Sequence, residues 1–291
     1  MRPEIRAAIK DIQANHESGA RQLALTALHA LRSVYASGEC DGEELRAICR
    51  QLALARPMNA AIQNAVASAW GRFLETNDCL RAVDETVEEI ETGPEEMALA
   101  ARKVIPTGTI MTHSWSSTVI ELLSRVKPRR VIVSEARPFN EGIRVAKQLV
   151  RAGVSTTLIT EAQMALFVHE ADAVVVGADT ILPEGDFINK IGTRGLDLAA
   201  KDAEVPFYSV AETLKVSAPS EPLPFSAQEG KAAEICGEKW LEVRNVYYEV
   251  TPARLVTSYV TEHGVLDPSD VQRFATEAEH RWQALMSPHE L

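Results

Sequence analysis

Three short segments hold most of the side chains that could do chemistry. In Thr112-His113-Ser114-Trp115-Ser116-Ser117-Thr118, hydroxyls crowd the start of a predicted helix. That is the pattern of an anion cradle at a helix N-terminus, or of a plain N-cap, where Ser and Thr are favoured whatever the function. In Ser134-Glu135-Ala136-Arg137-Pro138-Phe139-Asn140-Glu141-Gly142, Arg137 can fork onto a phosphate or pair with Glu135 or Glu141. In Gly177-Ala178-Asp179-Thr180 a carboxylate follows an apolar run. Desolvation there would make its proton harder to lose and fit it for acid–base work; the alternative is a capping Asp at the next turn. Further on, Gly185 to Thr193 brings an amide, Asn189, and an ammonium, Lys190, to a Gly-rich approach to a helix, donors able to hold a polyol phosphate.

Other chemistries lack their signatures. No GxGxxG supports a dinucleotide cofactor, no GxxxxGK[ST] supports a P-loop, and Ser114 lacks the GxSxG elbow. No cofactor is expected. His113 adjoins Ser114, but neighbouring residues of an extended strand face opposite ways, so a Ser–His pair is not expected. The seven histidines form no HExxH and read as surface or structural groups. Cys40, Cys49, Cys79 and Cys236 form no CxxC and stand beside no His at ligand spacing. They read as free thiols of a reducing cytoplasm, and no metal site is expected. With 30 Lys plus Arg against 41 Asp plus Glu, the formal charge of −11 disfavours broad nucleic-acid binding, while a few local cations can still hold a small phosphorylated ligand. No apolar run is long enough to span a bilayer, and the start of the chain lacks a signal-peptide apolar region.

These segments need positioning elements, and 291 residues suffice for two domains. Leu23, Ala24, Ala27, Leu28, Leu31, Val34 and Tyr35 repeat with helical spacing, and Ser18 could cap that helix. Gly38 and Asp41-Gly42 break it. Leu45, Ile48, Cys49 and Leu52 form a second stripe, ended at Arg56-Pro57. A third runs from Ala61 to Phe73, and a weaker one through Val83, Val87 and Ile90 ends near Gly93-Pro94. The spacing predicts a helical bundle over 1–104. Beyond it, β-rich runs at 109–112, 131–134, 154–160, 173–177 and 206–210 alternate with helical stretches at 116–125, 141–152, 161–168 and 193–203. This predicts an α/β region over 105–291, a Rossmann-like, doubly wound parallel sheet with AVVVG as a central strand. In such a sheet ligands bind beyond the carboxyl ends of the strands, where the three segments fall. Ser217 to Gln228, rich in Pro and Ser, reads as a surface excursion.

IMTHSWSST, VSEARPFNEG, VVVGADTILPEGDFINKIGT, PFYSVAETLKV and NVYYEVTPARLVTSYVTEHGVL occur in this order over roughly residues 104–270, and Ser18-Gly19-Ala20-Arg21 fits more loosely. Together they resemble the family that joins the alpha, beta and delta regulatory subunits of translation initiation factor two-B to ribose-1,5-bisphosphate isomerase and methylthioribose-1-phosphate isomerase. The resemblance implies an N-terminal helical domain, a Rossmann-like domain, and dimers or larger homo-oligomers built through the latter. It implies substrate contacts from Gly19, Arg21, Ser116, Ser117, Arg137, Gly142, Asn189 and Lys190. In the isomerases a Cys and an Asp open the ring of an aldose 1-phosphate and convert it to the ketose. Asp179 stands at the position of that Asp; Ser114 stands at the position of the Cys.

The exchange is chemically unequal. A thiol ionises near pH ~8.5, an alcohol many units higher, and each unit is worth about 1.4 kcal/mol. An alcohol replaces a thiol poorly without a strong adjacent base, and the sequence shows none beside Ser114. Two leading readings stay open, beside a bare structural module that binds no small molecule. One is a protein that binds a sugar phosphate or nucleotide, regulatory or weakly active, with a translation factor as a possible partner. The other is an aldose–ketose isomerase acting on a pentose 1-phosphate through Asp179 with Ser114 as donor.

Overall fold

A computed structural model describes residues 2–15, 18–36, 42–57, 59–220, 229–238 and 240–287. Gly38, Cys40 and Asp41, most of the Ser217–Gln228 segment, and the chain's last four residues lie outside the described residues. The chain forms two compact units.

The helical unit comprises residues 1–93, 214–224 and 272–291. It contains α1 (Pro3–Ala14), α2 (Ala20–Ala36), α3 (Gly42–Ala53), α4 (Ala60–Thr76), the first part of α5 (Cys79–Ala101) and nearly all of α10 (Val271–Met286). The predicted stripe on α2 is its buried face: Leu23, Ala24, Ala27, Leu28, Leu31 and Val34 are all in the core. Helix α2 opens at Ala20, after Gly19, so Ser18 stands one residue too early to cap it; its own N–H donates to the Asn15 side chain at 2.9 Å. Arg56-Pro57 ends a helix as expected, and Asn59 caps α4 by accepting from the Ile62 N–H.

Three further expectations are corrected. The helix read as ending near Gly93-Pro94 continues to Ala101 with Pro94 inside it. An interior Pro costs about 3 kcal/mol, but α5 buries Ile90 in one core and Met97, Ala100 and Ala101 in another, and that packing outweighs the penalty. The boundary drawn at 104 also moves, because the units divide between Gly93 and Pro94. The helical unit then takes residues back from the C-terminal half. Trp282 and Leu285 of α10 join its core, and the Arg46 and Arg50 guanidinium groups donate to the Leu285 carbonyl at 3.1 and 2.8 Å. Cations at a helix C-terminus meet its exposed carbonyls and its negative dipole end. Ser217 and Ala218, read as the start of a surface excursion, are buried in this unit.

The α/β unit spans residues 94–213 and 225–271. Its strands are β1 (Thr109–Thr112), β2 (Arg130–Ser134), β3 (Thr156–Ile159), β4 (Ala173–Val176), β5 (Thr180–Ile181), β6 (Phe187–Lys190), β7 (Phe207–Val210), β8 (Tyr248–Thr251), β9 (Ser258–Thr261) and β10 (Gly264–Leu266). Its helices are α6 (Ser117–Val126), α7 (Glu141–Arg151), α8 (Met164–Phe167) and α9 (Thr193–Asp202). Seven strands form one sheet in the order β10-β9-β7-β4-β1-β2-β3, parallel except for β10. The five expected strands and the helices between them are there, and AVVV is central and fully buried. The chain winds from β1 out to β3, then returns to β4 on the other side of β1, so the order reverses between β1 and β4. Such a switch point leaves a crevice at the carboxyl ends of the two strands. A second, antiparallel sheet, β5-β6-β8, was not expected; it turns the 185–193 segment into a strand. No helix among the described residues is long and apolar enough to cross a membrane.

Candidate functional site

Strand β1 ends at Thr112, and the chain must turn sharply to start α6. Ser114 takes that turn with φ +65, in the left-handed region that a residue with a Cβ adopts at a cost of about 1–3 kcal/mol. The turn aims its buried hydroxyl at the next loop, where it donates to Glu141 Oε2 at 2.8 Å. Glu141 is the first residue of α7. Its other oxygen, Oε1, lies 3.1 Å from Lys190 Nζ at the end of β6. The Lys190 side chain is only 6% exposed, against 19% for Glu141. Three rings surround the ammonium, Phe139 at 5.3 Å, Tyr247 at 5.6 Å and Tyr248 at 5.1 Å. Tyr248 shares a face with Lys190 because the two are directly paired across β6 and β8. Ring faces and a carboxylate together compensate a charge that burial would otherwise penalise.

Behind Ser114, His113 is buried and uses both ring nitrogens. Nε2 lies 2.8 Å from the Ile191 carbonyl, which only accepts, so Nε2 carries the proton. Nδ1, at 2.5 Å, accepts from the Ser134 hydroxyl. Burial pushes the imidazole pKa down and keeps it neutral. His113 therefore ties β1 to β2 and to the end of β6, and the Ser–His pair excluded for Ser114 is indeed not formed.

The other expected residues go to several places. Ser116 caps α6, accepting from the Val119 N–H at 3.3 Å; a Cβ on Gly177 would lie 2.5 Å from its Oγ, so only glycine lets the end of β4 pass. Ser117 is the half-buried first residue of α6. Gly142 has a packing role: a Cβ there would lie 1.7 Å from the Ser134 carbonyl oxygen. Asn189 faces away from Lys190, as strand alternation requires, and donates to the Thr193 hydroxyl at 3.0 Å. Arg137 is exposed; its guanidinium reaches the Glu234 and Ile235 carbonyls at 3.5 and 3.4 Å, not Glu135 or Glu141. Gly19 and Arg21 belong to the helical unit, immediately before and in the first turn of α2.

Three expectations need correction. Asp179 is exposed between β4 and β5, so the desolvation expected for it is absent. The N-terminus of α9, read as an approach for a phosphate, is already occupied: Glu249 Oε1 accepts from the Gly192 and Arg194 N–H groups at 2.6 and 3.1 Å. And Ser114 does have an adjacent base, Glu141, which the sequence offered only as a partner for Arg137. A further pair was missed altogether. Glu212, after β7, accepts from Thr118 of α6 at 3.1 Å, and burial together with the Glu212 charge raises the pKa of Glu262, after β9.

The chain matches the model of the initiation factor 2 subunit family over residues 16–268. It belongs to that family. This member is 33% identical over 294 residues to the ribose 1,5-bisphosphate isomerase of Archaeoglobus fulgidus, covering 94% of this chain and 93% of the relative. It is 37% identical over 194 residues to a putative translation initiation factor eIF-2B subunit 2-like protein of Pyrococcus horikoshii, covering 65% of this chain and 69% of the relative. Among solved structures, the Pyrococcus horikoshii translation initiation factor eIF-2B superposes with a TM-score of 0.78 at 29% identity, over 94% of this chain and all of the other. The helical region followed by a mostly parallel α/β sheet is thus a fold shared with its relatives.

Proposed function

We propose that this family member binds a phosphorylated pentose at the carboxyl edge of the sheet, around Ser114, Glu141 and Lys190, and that it senses this ligand with little or no turnover. The hydrogen bond from the Ser114 alcohol to Glu141 carries the reading. The alcohol's one proton is committed to a carboxylate that Lys190 compensates. No thiol stands at this position, and Asp179 is exposed to water. A site so arranged recognises hydroxyls well, and an alcohol, many units less acidic than a thiol, gives up its proton poorly even with Glu141 beside it. Arg137, Ser116, Ser117 and Asn189 remain candidate ligand contacts. The protein acts in the cytoplasm as a homodimer or larger homo-oligomer, with a translation factor as a possible partner.

The second reading is an aldose–ketose isomerase, an intramolecular oxidoreductase using Asp179 and Ser114. It is favoured by the near full-length similarity to a protein named ribose 1,5-bisphosphate isomerase. One experiment separates the two. Thermal shift and calorimetric titration with ribose 1-phosphate and ribose 1,5-bisphosphate report binding, and incubation followed by ketose detection reports turnover. Binding without ketose supports the sensor, ketose lost in Asp179→Asn supports the isomerase, and no binding of either compound refutes both.

A further inference from the structure

This inference rests on the binding reading and names what the site recognises. The Glu141 carboxylate is held from three sides: the Ser114 hydroxyl at 2.8 Å, the Lys190 ammonium at 3.1 Å, and the N-terminal end of α7, whose first residue it is. The positive end of a helix dipole stabilises an acidic group there. The backbone beneath it has no room to move, since Gly142 packs against the Ser134 carbonyl too closely for a Cβ and donates its N–H to the Glu135 carbonyl at 2.9 Å. Glu141 is thus a fixed anion inside the candidate site.

A fixed carboxylate only accepts hydrogen bonds. It repels a phosphate placed against it and welcomes hydroxyl donors. Two carboxylate oxygens offer about four acceptor positions. Ser114 and Lys190 each engage one oxygen, and 19% of the Glu141 side chain faces solvent. Phe139, half exposed and 4.9 Å from the Tyr247 ring, provides an apolar wall beside the Lys190 ammonium.

We propose that Glu141 is a specificity-determining residue that accepts a hydrogen bond from the 2- or 3-hydroxyl of the bound sugar. The ligand class is then a pentose phosphate with an intact diol, oriented with its phosphate away from the Glu141 carboxylate.

The test is calorimetric titration of the full chain with ribose 1-phosphate and its 2-deoxy and 3-deoxy analogues, repeated on Glu141→Ala and Glu141→Gln. In the unmodified protein at least one deoxy sugar binds roughly tenfold to hundredfold more weakly, because a charged acceptor loses its donor. In Glu141→Ala that sugar and its parent bind within about twofold of each other; Glu141→Gln, which keeps an acceptor without the charge, falls between. Equal binding of all three sugars by the unmodified protein overturns the proposal, and that arm needs no variant to fold. Discrimination that persists in Glu141→Ala overturns it as well. Failure of every pentose phosphate to bind removes the binding reading itself, whereas equal binding removes only the role of Glu141.

Discussion

Ser114 and Glu141 lie 27 residues apart in the chain, yet the hydroxyl of one meets the carboxylate of the other at 2.8 Å. Ser114→Ala removes that donor and should lower stability by about 1–2 kcal/mol, read from urea unfolding. Ser114→Cys places an ionisable thiol in the same spot. If the remaining groups are competent, ketose formation from ribose 1,5-bisphosphate should rise by at least tenfold. Absence of ketose from both the variant and the unmodified protein would end the isomerase reading.

The Glu141–Lys190 pair should behave as a unit. Removing one member leaves a largely buried charge without its partner, so Lys190→Met should destabilise by about 2–4 kcal/mol. Adding Glu141→Gln should recover part of that loss. Strict additivity in the double-mutant cycle would mean that the two charges do not interact.

His113 gives a pH dependence with a defined sign. Its folded pKa lies below the ordinary value of 6.5, because burial disfavours the imidazolium. Below about pH 6.5 the unfolded chain takes up a proton that the folded chain refuses. The contribution is therefore complete above that pH and lost on acidification. Melting curves from pH 8 to pH 5 should show His113→Gln losing less of its stability than the unmodified protein over that range.

Asp197 on α9 acts in the opposite direction. It is fully buried, and among the described residues neither of its oxygens has a hydrogen-bond partner. Burial pushes its pKa up to about 7, partly opposed by Lys201 and Arg254. Between about pH 4 and 7 the unfolded chain releases a proton that the folded chain keeps, so this group's effect worsens as pH rises. Asp197→Ala should stabilise the protein by about 2–4 kcal/mol at pH 8, with the gain fading toward pH 4. A gain independent of pH would assign the effect to packing instead.

The elements themselves were legible in the sequence. The buried stripe on α2, the central strand AVVV and the alternation of β1 to β4 with α6 and α7 follow from local periodicity, because burial on one face or on two imposes a spacing on apolar residues. Pro94 misled for a related reason: its local penalty is visible in the sequence, while the two cores that outweigh it are assembled from distant segments.

The position of Ser114 at the end of β1, and its chemical difference from a thiol, could likewise be read from the sequence alone. What surrounds it could not. Glu141 and Lys190 reach it through a helix start and a small antiparallel sheet whose pairing joins Lys190 to Tyr248 across more than fifty residues of chain. Side-chain neighbours of that kind are fixed by strand register and loop direction, and neither leaves a periodic trace. The fold was therefore set by patterns local to each element, whereas the charge and hydrogen-bonding state of the candidate site was decided only when those elements packed together.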